Sequence, residues 1–105
     1  MKTPLRPRHK FHAKPTVNDG IRFASKKEAA RYETLKLLQT AGEVLFFLRQ
    51  TRFHLPGGTS WACDFLVFWA DDHVSVEDVK GMRTEAFKRA KKQVEALYPI
   101  EIEEL

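Results

Sequence analysis

The apolar positions change period along the chain, and each change marks an element. Residues 1–20 hold Pro4, Pro7, Pro15 and Gly20 without apolar periodicity, which predicts a largely irregular N-terminal arm. Ser25-Lys26-Lys27-Glu28 is a capping box. Helical spacing then runs through Ala29, Ala30, Tyr32, Leu35, Leu37 and Leu38 to Ala41, where Gly42 supplies the stop. On a helical projection Ala30, Arg31, Thr34, Leu35 and Leu38 share the sector expected to be buried, with Glu28 at its rim. Aromatic and β-branched residues from Val44 to Leu55 predict a strand long enough to bend. Pro56-Gly57-Gly58 predicts a turn, and Ser60 to Trp69 a strand pairing back as a hairpin.

After the turn Ala70-Asp71-Asp72-His73, the stretch from Val74 to Lys80 alternates with strand period. Arg83 to Tyr98 predicts a second helix with Phe87, Ala90, Val94 and Leu97 as its core stripe. Pro99 ends that helix, and Ile100-Glu101-Ile102 alternates as a short last strand. Helix, three meandering strands, helix, strand is an α+β order for a single domain over residues 21–105.

Composition narrows the class. At 105 residues, 43% hydrophobic and 30% charged, the chain matches a globular domain with a modest core, and no apolar run reaches the ~20 residues of a membrane helix. The basic N-terminus lacks the apolar stretch of a secretory signal, and the single Cys63 rules out an internal disulfide. These features predict a cytoplasmic protein. Eight basic residues (Lys2, Arg6, Arg8, Lys10, Lys14, Arg22, Lys26 and Lys27) stand against Asp19 alone in residues 1–27, so this segment carries +7 and the remainder −3. A basic arm on a near-neutral body suits nucleic acid, and equally a solubilising tail. His9 and His12 lack partners at zinc-finger spacing.

The candidate chemistry lies around Val76-Glu77-Asp78-Val79-Lys80-Gly81. Asp78 and Lys80 fall on one strand face, their roots roughly 6.5–7 Å apart. Asp64 sits in the apolar run from Trp61 to Trp69, where burying a charge is costly unless it is paired or metal-bound. Glu77 has the opposite parity and points away from this set. Glu28 has two compatible readings, helix cap and site acid. Asp71 and Asp72 read as turn acids. Without the fold order, the favoured reading is that Asp78 and Lys80 form a strand-surface ion pair and that Asp64 is a buried acid bonded to backbone.

These residues in this order resemble the PD-(D/E)XK nuclease superfamily, within it the small Holliday-junction-resolvase-like and VRR-nuclease-like branch. The stretches Asp19-Gly20-Ile21-Arg22-Phe23-x-Ser25-Lys26-x-Glu28-Ala29, Ala62-Cys63-Asp64-Phe65 and Val76 to Gly81 look closer still to small phage and prophage members of uncharacterised function. The similarity covers residues 17–103. It implies a restriction-endonuclease-like core of three-layer type, with a mixed sheet flanked by helices. Asp64 matches the acid of the "PD" element, with Cys63 where the motif has proline. Asp78 matches the second acid, Lys80 the lysine, and Glu28 the first-helix acid of the resolvase-like branch. Gln50 and Gln93 are candidate auxiliary groups.

The implied chemistry is phosphodiester hydrolysis with Mg²⁺ or Mn²⁺, which prefer oxygen ligands and keep several waters. Asp64, Asp78 and the carbonyl of Val79 would be ligands, with Glu28 acting through water and Lys80 orienting the attacking water or stabilising charge on the transition state. DNA contacts are expected mainly to phosphate, from Arg6, Arg8, Lys10, Lys14, Lys26, Lys27, Lys88 and Lys92, so that shape rather than sequence is recognised. The resemblance also implies action on branched or junction DNA in phage recombination, replication or packaging, within a bacterial cytoplasm. A homodimer would suit the paired cleavage points of a junction, with Phe46, Phe47, Phe68 and Trp69 as a patch that core packing explains equally. The alternatives are a non-catalytic DNA-binding module of this fold and a protein-interaction subunit of a phage DNA-processing assembly.

Overall fold

The structure, a computed structural model, describes residues 16–79 and 83–105. It begins with a hairpin that the proline-rich reading of residues 1–20 did not anticipate. Strand β1 (Thr16–Asn18) pairs antiparallel with β2 (Ile21–Phe23). Asp19 and Gly20 between them have φ of 52° and 75°, the left-handed pair that a two-residue turn needs. The Asp19 carboxylate then accepts from the Tyr32 hydroxyl at 2.9 Å and Lys36 Nζ at 3.1 Å, tying the turn to the first helix. Residues 16–20 are therefore part of the domain.

Helix α1 (Lys26–Thr40) starts where the capping box placed it: Ser25 Oγ accepts from the Glu28 N–H at 3.1 Å. It stops at Gly42, whose φ of 84° lets the Glu43 N–H turn back to the Leu38 carbonyl. The buried face is Glu28, Ala29, Tyr32 and Leu35. That corrects the expected sector: Ala30 and Thr34 are exposed, and Glu28 lies in the buried face rather than at its rim. The aromatic grip of Phe23 and Phe47 on Tyr32 sets the helix's rotation, and no helical projection contains those partners.

Strands β3 (Val44–Leu55), β4 (Thr59–Trp69) and β5 (Val74–Asp78) form an antiparallel meander, and β6 (Ile102–Glu104) adds in parallel beside β5. Helix α2 (Glu85–Leu97), capped by the Thr84 hydroxyl, makes the crossover from β5 to β6. The result is an α+β fold: a mixed sheet in the order β3-β4-β5-β6, plus the separate β1-β2 pair. Two details differ from expectation. Leu97 is exposed and Tyr98 packs in its place, its hydroxyl donating to the His54 carbonyl at 2.7 Å. The last strand lies two residues later than Ile100, because the Glu95 carboxylate takes the Ile102 N–H while the chain is still bending around the helix end.

The helices cover opposite faces. Phe65 and Val67 belong to the core under α1, with Phe23, Ala29, Tyr32, Leu35 and Val44. Cys63, Val76 and Ile102 belong to the core under α2, with Phe87 and Val94. Cys63 and Phe65 share strand parity yet sit in different cores, so the long hairpin changes face between them. The matching irregularity on β3 is Gln50, with φ of 51° between the regular pairs Arg49↔Phe65 and Thr51↔Cys63. A strand cannot keep period two through such a residue, and both cores depend on that break. Among the described residues, no helix is long and apolar enough to cross a membrane.

Candidate active site

Asp64 stands beside the break, opposite the end of β5. The last regular pair of β4 and β5 is Phe65↔Glu77, so Asp64 and Asp78 are each one residue beyond it, on neighbouring strands. Here a side chain takes over from the ladder: Asp64 Oδ2 accepts the Val79 N–H at 2.7 Å, and its Oδ1 faces Gln50 Nε2 at 3.3 Å. Asp78 is 2% exposed. Two carboxylates thus end up together at the point where the hairpin turns from one core to the other.

Glu28 joins them from α1. It is buried, and its carboxyl is pushed above its ordinary pKa, first by burial and next by the negative charge of Asp64, with Asp78 adding to it. Arg49 and the Ala24 backbone N–H act in the opposite direction. Both aspartates disfavour its ionisation, Asp64 more than Asp78, as negative charges nearby do. Glu28 also lies in the first turn of α1, where its N–H donates to the Ser25 hydroxyl and its carboxyl accepts from the Ala24 N–H.

Glu77 is on the opposite face of β5 from Asp78, the face toward α1, and is 1% exposed; there Arg31 donates to both of its oxygens at 2.8 and 2.6 Å. Gln50 is next to Asp64, whereas Gln93 is an exposed residue of α2. Asp71 holds the His73 N–H at 3.1 Å in the turn before β5, a local structural bond. Lys80, Arg6, Arg8, Lys10 and Lys14 lie outside the described residues.

Lys26 and Lys27 are exposed in the first turn of α1, one and two residues before Glu28. Lys88 and Lys92 are exposed on α2, Lys88 next to Glu85 at 3.1 Å; Arg83 and Lys91 both pair with Glu104. In the suggested dimer patch, Phe47 and Trp69 pack against the α1 core, whereas Phe46 is exposed and stacks on Phe68 at 4.3 Å.

The residue missed by sequence reasoning is Arg49. Its terminal nitrogen is 3.9 Å from Glu28 Oε2, and its guanidinium carbon lies 4.7 Å from the centre of the Phe23 ring. The available signal was its parity with Phe47, which places an arginine on the α1 face of β3.

A family model matches residues 8–103. The chain belongs to the family described as "Protein of unknown function (DUF1064)". The matched span contains Glu28, Arg49, Asp64 and Asp78, so the whole described site lies within this family unit. No curated protein and no solved structure matches the chain.

Proposed function

We propose that this DUF1064 protein is a Mg²⁺- or Mn²⁺-dependent DNA endonuclease of PD-(D/E)XK type that selects branched DNA by shape. The observation that carries the reading is the placement of Asp64 and Asp78 on neighbouring strands, each one residue beyond the Phe65↔Glu77 pair, with the buried Glu28 of α1 feeling the charge of both. The donor set fits a hard cation. Among the described residues, no three His, Cys, Asp or Glu side chains form a ready-made cage. Mg²⁺ does not need one, because one or two carboxylates and several waters suffice.

Asp64 and Asp78, with the carbonyl of Val79, would hold the ion, and Glu28 would act through water. Bound there, the ion would polarise the phosphodiester and lower the pKa of a bound water. Asp64 also fixes the backbone at Val79 and so orients the neighbouring donors. Gln50 restrains the Asp64 carboxylate. By resemblance, Lys80 positions the attacking water or stabilises charge on the transition state. Lys26, Lys27, Lys88, Lys92 and the basic arm would contact phosphates, which gives affinity without reading bases. A homodimer through the exposed Phe46, stacked on half-buried Phe68, would present two such sites to a junction.

A non-catalytic DNA-binding module of the same fold is the second reading. It is favoured by the engagement of both Asp64 oxygens with protein donors. The separating experiment incubates branched, nicked, single-stranded and linear duplex DNA with the protein in Mg²⁺ or Mn²⁺. Metal-dependent cleavage by the parent chain, lost in Asp78→Asn and Lys80→Ala with folding intact, is the expected result. A parent chain that cuts none of these substrates, or variants that cut as well as the parent, overturns the enzymatic reading.

A further inference from the structure

A site of three carboxylates repels the anion it is proposed to process, so a cation at its rim has work to do. Arg49 is in that position. Its contact with Glu28, at 3.9 Å, is beyond hydrogen-bond length. Its Nε is shielded from solvent and has no hydrogen-bond partner among the described residues. Arg31 provides the contrast within the same fold: it spends a paired fork on Glu77 at 2.8 and 2.6 Å, as a purely structural arginine does.

Arg49 is nonetheless held in place. Its guanidinium lies over the Phe23 ring, and Phe23 is itself buried against Tyr32. The side chain keeps 26% of its surface open. A guanidinium that is braced, partly exposed and not saturated by its nearest carboxylate is pre-organised for an oxyanion.

The geometry points to Arg49 as the residue that holds a non-bridging oxygen of the DNA phosphodiester at the acid site. For the identity of the anion this rests on the nuclease-site reading above. In that role Arg49 offsets the repulsion between the phosphate and the carboxylates, and places the phosphorus beside Asp64 and Asp78.

The test uses the full chain and a fluorescently labelled DNA duplex, both branched and linear, in the presence of EDTA so that binding is read without cleavage. The affinity is followed over a series of KCl concentrations. Arg49→Gln should reduce the slope of log K against log salt by about 0.9, the release of one phosphate counterion. Arg49→Lys should keep the slope and weaken binding about five- to tenfold, because the charge remains and the fork is lost. The slope loss should persist in a Glu28→Gln background, where a mere counter-ion to Glu28 would have nothing left to do.

An unchanged slope in folded Arg49→Gln overturns the inference, even where Asp78→Asn abolishes cleavage and the nuclease reading stands. If Arg49→Gln does not fold, Arg49→Lys binding as tightly as the parent overturns it instead. If the parent cleaves nothing but the slope still falls, the enzymatic reading fails and the phosphate contact survives. A parent chain that does not bind DNA removes both.

Discussion

Arg31 and Glu77 meet as a two-bond fork between α1 and β5, one turn along the helix from Glu28 and one residue along the strand from Asp78. The pair therefore fixes the helix that carries Glu28 against the strand that carries Asp78. Glu77 is almost wholly enclosed, whereas the Arg31 side chain is 24% exposed. The two truncations should therefore differ. Arg31→Ala leaves a buried carboxylate without its charged partner, with the Ser75 hydroxyl still donating at 3.4 Å, and should cost about 3–5 kcal/mol; Glu77→Ala should cost less because Arg31 can turn toward water. Urea unfolding of both variants measures this, and equal losses would contradict the burial asymmetry.

Metal binding can be followed without any substrate. A ligand that binds only the folded state stabilises it by about 2.7 kcal/mol at a hundredfold excess over Kd. Mg²⁺ or Mn²⁺ should raise the melting temperature of the parent, EDTA should reverse the rise, and Asp78→Asn should remove it. An equal rise in Asp78→Asn would place the ion elsewhere.

Gln50 adopts a left-handed backbone beside Asp64, a conformation that costs a non-glycine residue about 1–2 kcal/mol. Gln50→Gly should leave stability level or higher while loosening the Asp64 carboxylate and lowering cleavage. Gln50→Val, β-branched where φ is positive, should lower both. Chemical denaturation beside a cleavage assay reads the two effects, and a clear loss of stability in the glycine variant would show that the strain is not there.

Burial pushes the Cys63 thiol up to about 11, from an ordinary value of 9.0. The unfolded chain therefore ionises first as pH rises. The stabilisation from keeping the thiol neutral is complete below pH 9 and is lost as pH climbs toward 11. At pH 8 a thiol-reactive dye should label the native protein slowly and the urea-unfolded protein rapidly. Rapid native labelling would mean that Cys63 is open to solvent.

Much of the fold was legible because its signals are local. Ser25 with Glu28 marks the first helix start, Gly42 its end, and period two alone separates Glu77 from Asp78. The β1–β2 hairpin carried a legible signal as well, Asp19-Gly20 between Val17 and Ile21, but nearby prolines drew those residues into the expected arm. The true rotation of α1 was not legible. Ala30 and Thr34 suit a buried face by size and spacing, and only the aromatic packing of Tyr32 against Phe23 and Phe47 turns them outward.

The sequence by itself determined the element order, the caps and turns, and the kinds of side chain available for chemistry, since each depends on neighbours within a turn or a strand step. The tertiary structure alone decided that Glu28 feels the charges of Asp64 and Asp78, that Arg31 takes Glu77, and that Arg49 remains unsaturated over Phe23. Those relationships join residues far apart in the chain. Their distances follow from how α1 docks on the sheet and from the face change at Gln50, and no local period encodes either one.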